Sequence, residues 1–181
     1  MSRKIAKKKR RTFAIFVEGG KGGSEDLYFS AFKHQQWVRD LGFKLDVIPC
    51  KGLDKLLEKA FKAKHEGKSL SDYYKVAFVL DKDHITRERF DKLLKMDYII
   101  GFSNPKFEFW LLAHFEKQLQ ENYSDVEKSL KKYILDYHKK HPKIAHLAKI
   151  YAQAIENIAD KNTPNFDEVC TSVGSVIQEI F

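Results

Sequence analysis

The stretch KVAFVLDKD, residues 75–83, decides the fold class of this sequence. Its first six residues are almost wholly apolar, which is typical of a strand that is buried on both faces of a parallel sheet. The run then ends in two aspartates, Asp81 and Asp83, on either side of one lysine. We therefore expect a buried strand whose carboxyl end presents acidic side chains.

The segments around this run alternate between strand and helix patterns. Residues 12–17, 43–49 and 98–102 predict three more strands from their β-favouring or alternating side chains. Helices are predicted between the strands, over 24–41, 51–67 and 86–95. Strands separated by helices of this length are typical of a parallel sheet with right-handed crossovers. The sequence thus predicts an α/β fold with a parallel sheet of about four strands flanked by helices.

The pattern from residue 105 to the end is helical throughout. Asn104 and Pro105 predict the N-cap and the first residue of a helix that reaches 115. Further helices are predicted over 125–140, 145–159 and 167–181. We expect the chain to have three parts: a basic disordered tail at 1–11, an α/β domain at 12–117, and a helical C-terminal extension at 118–181 packed on that domain.

The positive charge of the chain is concentrated in two places. Seven of its 33 Lys and Arg side chains lie in residues 1–11, which contain no acid, so the rest has 26 basic side chains against 25 acidic ones. A second basic block, residues 128–149, contains seven lysines and one acid, Asp136. Clustered Lys and Arg side chains bind nucleic-acid phosphates by releasing counterions. The layout favours a nucleic-acid partner, with a solvated tail and a solvated helix face as the alternative.

The composition excludes a disordered chain and a membrane protein. With 43% hydrophobic residues the chain can bury a core. No apolar run approaches the ~18 residues that predict a membrane span. Cys50 and Cys170 lie far apart and form no C-x-x-C pair, which is typical of a reducing compartment. We expect a cytoplasmic protein with no membrane partner.

Acidic side chains follow two of the predicted strands. Glu18 closes the first strand, and Asp81 and Asp83 close the strand at 75–80. Open parallel sheets bind ligands beyond the carboxyl ends of their strands, where converging carboxylates repel one another unless a cation lies among them. Oxygen ligands select Mg²⁺ or Mn²⁺, which can polarise a phosphoryl oxygen and activate water. Glu18 is then the candidate general acid or base. The alternative is that D-x-D forms only a polar turn.

Several residues near these acids have open roles. The glycine loop at 19–23 matches neither common nucleotide-binding pattern, and Ser24 after it predicts a helix N-cap. Glu108 lies about one turn into a predicted helix, where it either favours the helix dipole or joins the acidic group. His114 and Trp110 share a helix face, and we expect both to be core residues.

Residues 103–115, SNPKFEFWLLAHF, carry a family resemblance. The pattern Ser-Asn-Pro-x-Phe-Glu-x-Trp-Leu-x-x-His-Phe resembles the signature of the RloB-like family, whose fold is of the Toprim type. Glu18 with Gly19, and Asp81 with Asp83, also lie where that family has its Glu-Gly and D-x-D motifs. The resemblance runs from about 13 to 114 and, more faintly, through the helical part. It implies a Toprim-like, Rossmannoid sheet.

The resemblance also implies roles for these acids. Glu18 matches the Toprim catalytic glutamate, and Asp81 and Asp83 match the metal-binding aspartates. A metal-dependent nuclease is implied, acting beside an ATPase partner in antiviral defence or abortive infection. The family usually has its second acid four residues after the first, whereas Glu25 lies seven residues after Glu18, beyond three additional positions. Glu25 and Glu108 therefore stay open as further candidate metal ligands.

Candidate nucleic-acid contacts lie beside the predicted cleft and in the basic block. They are Lys21, Lys82, Lys131, Lys132, Lys139, Lys140 and Lys143. Tyr133 and Tyr137 lie among the lysines of the block and could stack on unpaired bases.

Two hypotheses from different classes follow. The first is an Mg²⁺- or Mn²⁺-dependent endonuclease whose catalytic residues are Glu18, Asp81 and Asp83. Such an enzyme can be silent until a partner releases it. RNA, including tRNA, is preferred over DNA on the resemblance alone. The second is a non-catalytic Toprim-type module that binds nucleic acid or an ATPase. A homo-oligomer is compatible with both. A phosphatase that uses D-x-D is a poorer match, because that chemistry normally has the motif on the first strand.

Overall fold

The structure of the protein is a computed structural model that describes residues 11–117 and 125–180. Its strands are, in chain order, β1 (Thr12–Val17), β2 (Lys44–Pro49), β3 (Lys64–His65), β4 (Lys68–Ser69), β5 (Lys75–Asp81), β6 (Ile99–Asn104) and β7 (Cys170–Thr171). The central sheet has the order β2-β1-β5-β6-β7, and β3 and β4 form a separate hairpin. In this sheet β2, β1, β5 and β6 pair in parallel, and β7 pairs antiparallel with β6. The predicted α/β class is confirmed, and the arrangement is Rossmannoid.

The helices flank this sheet. They are α1 (Ser24–Phe32), α2 (Gln36–Asp40), α3 (Leu53–Lys62), α4 (Arg87–Leu94), α5 (Glu108–Leu112), α6 (Val126–Leu130), α7 (Lys143–Leu147), α8 (Tyr151–Asn157) and α9 (Val173–Ile180). Short 3₁₀ segments lie at Leu70–Asp72, Ala148–Ile150 and Ala159–Lys161. In the described ranges, no helix is long and apolar enough to cross a membrane.

Side chains alternate along each strand, so every strand contributes to both faces of the sheet. Helices cover both of these faces. Phe13, Ile15 and Val17 of β1 point into one core, which α1, α5 and α9 cover. Ala14 and Phe16 point into the other core, which α3 and α4 cover. This burial on two faces explains why β1 and β5 are nearly continuous apolar runs.

The C-terminal part contributes a strand as well as helices. Thr171 of β7 pairs with Ser103 of β6, and their hydroxyl groups lie 3.0 Å apart. The next residue, Ser172, donates through its hydroxyl to the carbonyl of Ile100 at 2.8 Å. The sequence analysis did not predict β7, since two residues are too few to show strand periodicity. The side chains of α9 also belong to the core of the sheet.

Several predicted helices are shorter than expected; the one predicted at 51–67, for example, ends at Lys62 and is followed by β3. Two others show the cause. The predicted helix at 24–41 is interrupted at Gln35, whose backbone is extended. The Gln35 side chain donates to the carbonyl of Ala148 at 3.1 Å and accepts from the Trp37 indole at 2.7 Å. The helix predicted at 125–140 ends at Leu130, and Asp136 has a positive φ of 58°, which an α-helix does not allow. In both places a local conformation overrides the helical spacing.

Asn104 is not an N-cap, as the sequence analysis had predicted. It is the last residue of β6, and its amide donates to the carbonyls of Phe166 and Glu168 at 3.2 and 2.7 Å. The helix begins later, at Glu108. Asn104 thus holds the loop that leads to β7. The predicted basic tail, apart from Arg11, lies outside the described residues.

Candidate active site

The acidic side chains lie at the point where the sheet changes its direction of winding. From β1 the chain crosses to β2 on one side, and from β5 it crosses to β6 on the other, so a crevice opens beyond the adjacent ends of β1 and β5. Glu18 follows β1 and Asp81 ends β5. The backbone N–H of Asp81 donates to Glu18 Oε2 at 3.0 Å, and the N–H of Glu18 donates to the Val79 carbonyl at 3.0 Å. The fold itself therefore brings together the two acids from these strands.

Glu25 joins this edge in spite of the additional loop residues. It lies in the first turn of α1 and is 9% exposed. Its carboxylate lies so close to Gly19 that a Cβ at that position would be 2.6 Å from Glu25 Oε2. The extra length is taken up in a tight turn, in which the N–H of Gly23 donates to the Gly20 carbonyl at 2.9 Å. The distance in sequence between Glu18 and Glu25 therefore does not separate them in space.

Glu108 is buried beside the same group. Its side chain is 2% exposed, and its Oε1 accepts from the Tyr137 hydroxyl at 2.9 Å and from the Ser24 hydroxyl at 3.4 Å. The charge of Glu108 raises the pKa of both Glu25 and Asp81. Of the two roles left open for Glu108, the structure gives it a position next to the acidic group.

The pKa values show that these carboxyl groups act on one another. Burial raises the pKa of Asp81 well above its ordinary value, and nearby negative charges raise it further, in decreasing order those of Glu25, Glu108, Glu18 and Asp83. Burial also raises the pKa of Glu18, although the hydrogen bond from Asp81 opposes it. Since like charges in a partly buried place disfavour ionisation, this edge favours binding protons or a cation.

The pKa of Glu25 is shifted in the same direction. Burial and the Glu108 and Glu18 charges raise its pKa from 4.5 to about 7. Asp83 differs from the others, because it is exposed in the loop after β5 and acts on Glu18 and Asp81 only through its charge.

The arrangement supplies oxygen donors without forming a closed metal site. Among the residues that the structure describes, no three His, Cys, Asp or Glu side chains are grouped so that they could hold one ion. The acids that could approach a cation all lie along the edge of the crevice. The charges of the other four all act on Asp81. Carboxylate oxygens suit Mg²⁺ or Mn²⁺ and do not suit softer metals.

Two residues that hold this site together, Ser24 and Tyr137, were not predicted to do so from the sequence. Ser24 is 1% exposed and makes no N-capping hydrogen bond, because Gly23 is the N-cap of α1. Tyr137 is 4% exposed, so it is not a platform for bases. Their hydroxyl oxygens lie 3.3 Å apart and both contact Glu108. A serine after a glycine loop and a tyrosine on an apolar stripe carry no signal for this role.

The predicted nucleic-acid-binding lysines have different surroundings. Lys139 is close to the acids, since its charge lowers the pKa of Glu18 and Glu25, and its carbonyl accepts from the Ser24 hydroxyl at 3.4 Å. Lys82 lies with its Nζ 5.1 Å from the centre of the Phe166 ring. The remaining predicted lysines are exposed: Lys21, Lys131, Lys132, Lys140 and Lys143.

The aromatic residues of the family signature form core. Trp110 and Phe109 are fully buried. His114 is 5% exposed, lies 3.1 Å from the Tyr28 hydroxyl through Nε2, and burial lowers its pKa to about 4. The prediction of a hydrogen-bonded core histidine is confirmed. Tyr133 stacks on Phe115 with ring centres 4.7 Å apart.

Comparison with known proteins gives one match. The family model for RloB-like protein matches residues 13–180, which is nearly the whole chain. No curated protein and no solved structure is detectably similar to the chain. The match includes the strand ends with Glu18 and Asp81, the signature at 103–115 and the C-terminal helices. The chain therefore belongs to the RloB-like protein family.

Proposed function

We propose that this protein is a metal-dependent, Toprim-type nuclease that hydrolyses phosphodiester bonds. RNA, including tRNA, is the proposed substrate in preference to DNA, and the proposed setting is antiviral defence or abortive infection in the cytoplasm. One observation carries the proposal: acids from separate elements meet at the crevice between β1 and β5, where burial and then their charges raise the pKa of Asp81. A cation would relieve that repulsion.

Mg²⁺ or Mn²⁺ suits the donor set, which consists of carboxylate oxygens. Glu18, Asp81 and Asp83 would hold the ion, with Glu25 and Glu108 as further candidates. Because the acids are not grouped into a closed site, the proposal requires side-chain movement when the ion binds. A bound ion would polarise the phosphoryl oxygen and lower the pKa of a water molecule.

Glu18 is suited to move the proton. It follows β1 at the crevice, where a carboxylate can take a proton from an attacking water. In the proposed step the water oxygen bonds to phosphorus, its proton passes to Glu18, and the bond from phosphorus to the leaving oxygen breaks. The leaving oxygen then takes a proton from Glu18 or from water. The hydrogen bond from the Asp81 N–H fixes Glu18 Oε2 for this role.

Basic side chains beside the acids support a polyanionic substrate. Lys139 is exposed and lies close enough to lower the pKa of Glu18 and Glu25. Lys131, Lys132, Lys140 and Lys143 extend the positive charge over the C-terminal part. We also propose that an ATPase partner controls the nuclease. A homo-oligomer is compatible with this function.

The test is cleavage of labelled tRNA, single-stranded RNA and duplex DNA with Mg²⁺ or Mn²⁺. We expect wild type to cut RNA in the presence of metal and to lose activity in EDTA and in the Glu18→Gln variant. Glu88→Gln, an exposed glutamate in the first turn of α4, is the matched control and should cut like wild type. Absence of cleavage by wild type, with and without its ATPase partner, would reject the proposal.

One observation favours the second candidate, a non-catalytic module that binds nucleic acid or an ATPase. Glu108 already uses its Oε1 for hydrogen bonds to Tyr137 and Ser24, so part of the acidic group has a structural role. This candidate predicts that wild type and Glu18→Gln bind nucleic acid equally and that neither cuts it.

A further inference from the structure

A cleft beside the edge strand β2 carries lysines that the proposed function has not used. Its volume is about 530 Å³, and its wall includes Lys51, Lys55 and Lys59. The three lysines are spaced four residues apart, and the last two lie on α3. Residues four apart on a helix lie on one face about 6 Å apart along its axis. Lys55 and Lys59 are therefore neighbours on one face of α3, and Lys51, which precedes the helix, adds a third lysine to this row along the wall of the cleft.

The positive charge of this row is only partly offset by acids of the described residues. Neither Lys51 nor Lys55 is ion-paired with an acid of these parts of the chain, and both are exposed. Two acids line the same cleft. Glu58 is paired with Lys62 at 2.7 Å, and Glu66 lies 3.8 Å from His65, which does not neutralise it because burial lowers the pKa of His65. With three lysines against these two acids, the cleft keeps a net positive charge for an incoming anion.

Backbone hydrogen bonds attach this row to the acidic edge. The N–H of Lys51 donates to the Gly19 carbonyl at 3.3 Å, and the N–H of Gly52 donates to the Glu18 carbonyl at 2.8 Å. The start of the row is therefore fixed one strand away from Glu18. Lys139 also lies close to Glu18, but on the face of the sheet that α1 covers, whereas the row lies beside α3.

We propose that Lys51, Lys55 and Lys59 form a track for the phosphates of a nucleic-acid strand that leaves the crevice over β2. The inference rests on the proposed function in taking nucleic acid as the partner. A strand that crosses the crevice would then be held on both sides of the acids, by Lys139 before them and by this track after them. Contacts of this kind position the backbone without selecting a base sequence.

The test measures binding separately from cleavage. A fluorescein-labelled 30-nucleotide RNA is titrated with wild type and with the double variant Lys51→Gln and Lys55→Gln, in EDTA, at several salt concentrations. Lys59 is left unchanged because its Nζ lies 3.1 Å from His65 Nδ1. The control double variant, Arg39→Gln with Lys95→Gln, removes the same charge from exposed positions outside the cleft. Thermal unfolding checks that both variants are folded.

We expect the track variant to bind about tenfold more weakly at ~0.15 M salt. The slope of log K against log salt should fall by about 1.4, since each phosphate contact with a single strand contributes about 0.7. The control should change affinity less than about twofold. Equal affinity and equal slope in the two double variants would overturn the track, as would a wild type that binds no RNA.

The failure of the track and the failure of the nuclease give different results. A wild type that binds RNA through the track but does not cut it with Mn²⁺, with and without the ATPase partner, would reject only the nuclease. A wild type that cuts RNA while the track variant binds like the control would reject only the track. Labelled poly-glutamate is the second probe: if the track variant loses poly-glutamate binding but keeps RNA binding, the cleft fits an acidic protein segment, and the proposal is wrong.

Discussion

The two ends of the parallel strands differ in how they arrange charge. At the amino ends, Lys44 lies 2.9 Å from Asp46, and Lys75 lies 2.9 Å from Glu179. Both pairs are at the surface, and such pairs contribute about 0–1 kcal/mol to stability. At the carboxyl ends, by contrast, acids are placed beside acids, and the pKa of Asp81 is raised first by burial and then by the charges of four other carboxyl groups.

The arrangement of charge at the carboxyl ends lowers stability, whereas the arrangement at the amino ends does not. Opposite charges at the amino ends need no further partner. Like charges at the carboxyl ends disfavour the folded protein unless a proton or a cation is bound, and such arrangements cluster at functional sites. The proposed metal site would account for this contrast between the two edges of the sheet.

The largest expected effect comes from Asp81→Asn. The change removes the acid on which all the other acids of the edge act, so we expect RNA cleavage with Mn²⁺ to fall about 10²–10³-fold, the scale for losing one group that stabilises transition-state charge. Glu179→Gln, at the amino end, should leave the rate unchanged. If Asp81→Asn cuts at the wild-type rate, the two ends do not differ in function.

A second prediction concerns the dependence of stability on pH. The folded-state pKa of Glu25 is about 7 against an ordinary value of 4.5. Its protonated form is favoured by folding, so this contribution is fully present below pH 4.5 and is lost as the pH rises through 7. Between about pH 4.5 and 8 the loss amounts to about 3 kcal/mol, which Glu25→Gln should abolish.

Urea unfolding in EDTA at several pH values measures this difference. His114 has the opposite dependence: because its pKa is lowered to about 4, its contribution is present at high pH and is lost as the pH falls from 6.5 to 4. Since His114 is present in both proteins, its effect cancels when the Glu25→Gln variant is compared with wild type. Parallel stability curves for the two proteins would show that Glu25 is not coupled to the acidic edge.

Tyr137→Phe should have an effect of intermediate size. It removes the 2.9 Å hydrogen bond to buried Glu108, and a buried carboxylate that loses a donor costs about 1–3 kcal/mol. Tyr133→Phe is the matched control, because its hydroxyl bonds to Glu116 at the surface. We expect the control to change the free energy of unfolding by less than about 0.5 kcal/mol. Equal losses in the two variants would contradict a special role for the Tyr137 contact.

The smallest effect is expected at the amino ends of the strands. A double-mutant cycle with Lys75→Met and Glu179→Gln should give a coupling energy of about 0.2–1 kcal/mol, which salt reduces. Urea unfolding at low and high salt measures it. A coupling above about 2 kcal/mol would mean that the amino ends, too, have an electrostatic role beyond solvation.

Much of the fold was predictable because its parallel strands are buried. The runs at β1 and β5 are apolar, they alternate with helical patterns, and acids follow both. The parallel sheet and the acids at its edge could therefore be inferred from these patterns. What could not be inferred was set by single contacts. Gln35 interrupts a helix by binding the Ala148 carbonyl, and Asn104 ends a strand by binding Phe166 and Glu168.

The site was predictable only in part, for a similar reason. Glu18 and Asp81 lie at strand ends, which the topology brings together. Glu25 depends on how a glycine loop folds back, and Tyr137 depends on where a distant segment packs. The match between these places and the proposed chemistry stays a prediction until metal binding is measured.

Titration with Mn²⁺, followed by the electron paramagnetic resonance signal of the free ion, tests the acidic edge most directly. We predict that wild type at pH 7.5 binds Mn²⁺ at a site that Mg²⁺ competes for, and that Asp81→Asn loses this site while Glu179→Gln keeps it. Wild type that leaves all the Mn²⁺ free at millimolar concentration, or Asp81→Asn that binds it as wild type does, would contradict a metal-dependent role for this edge.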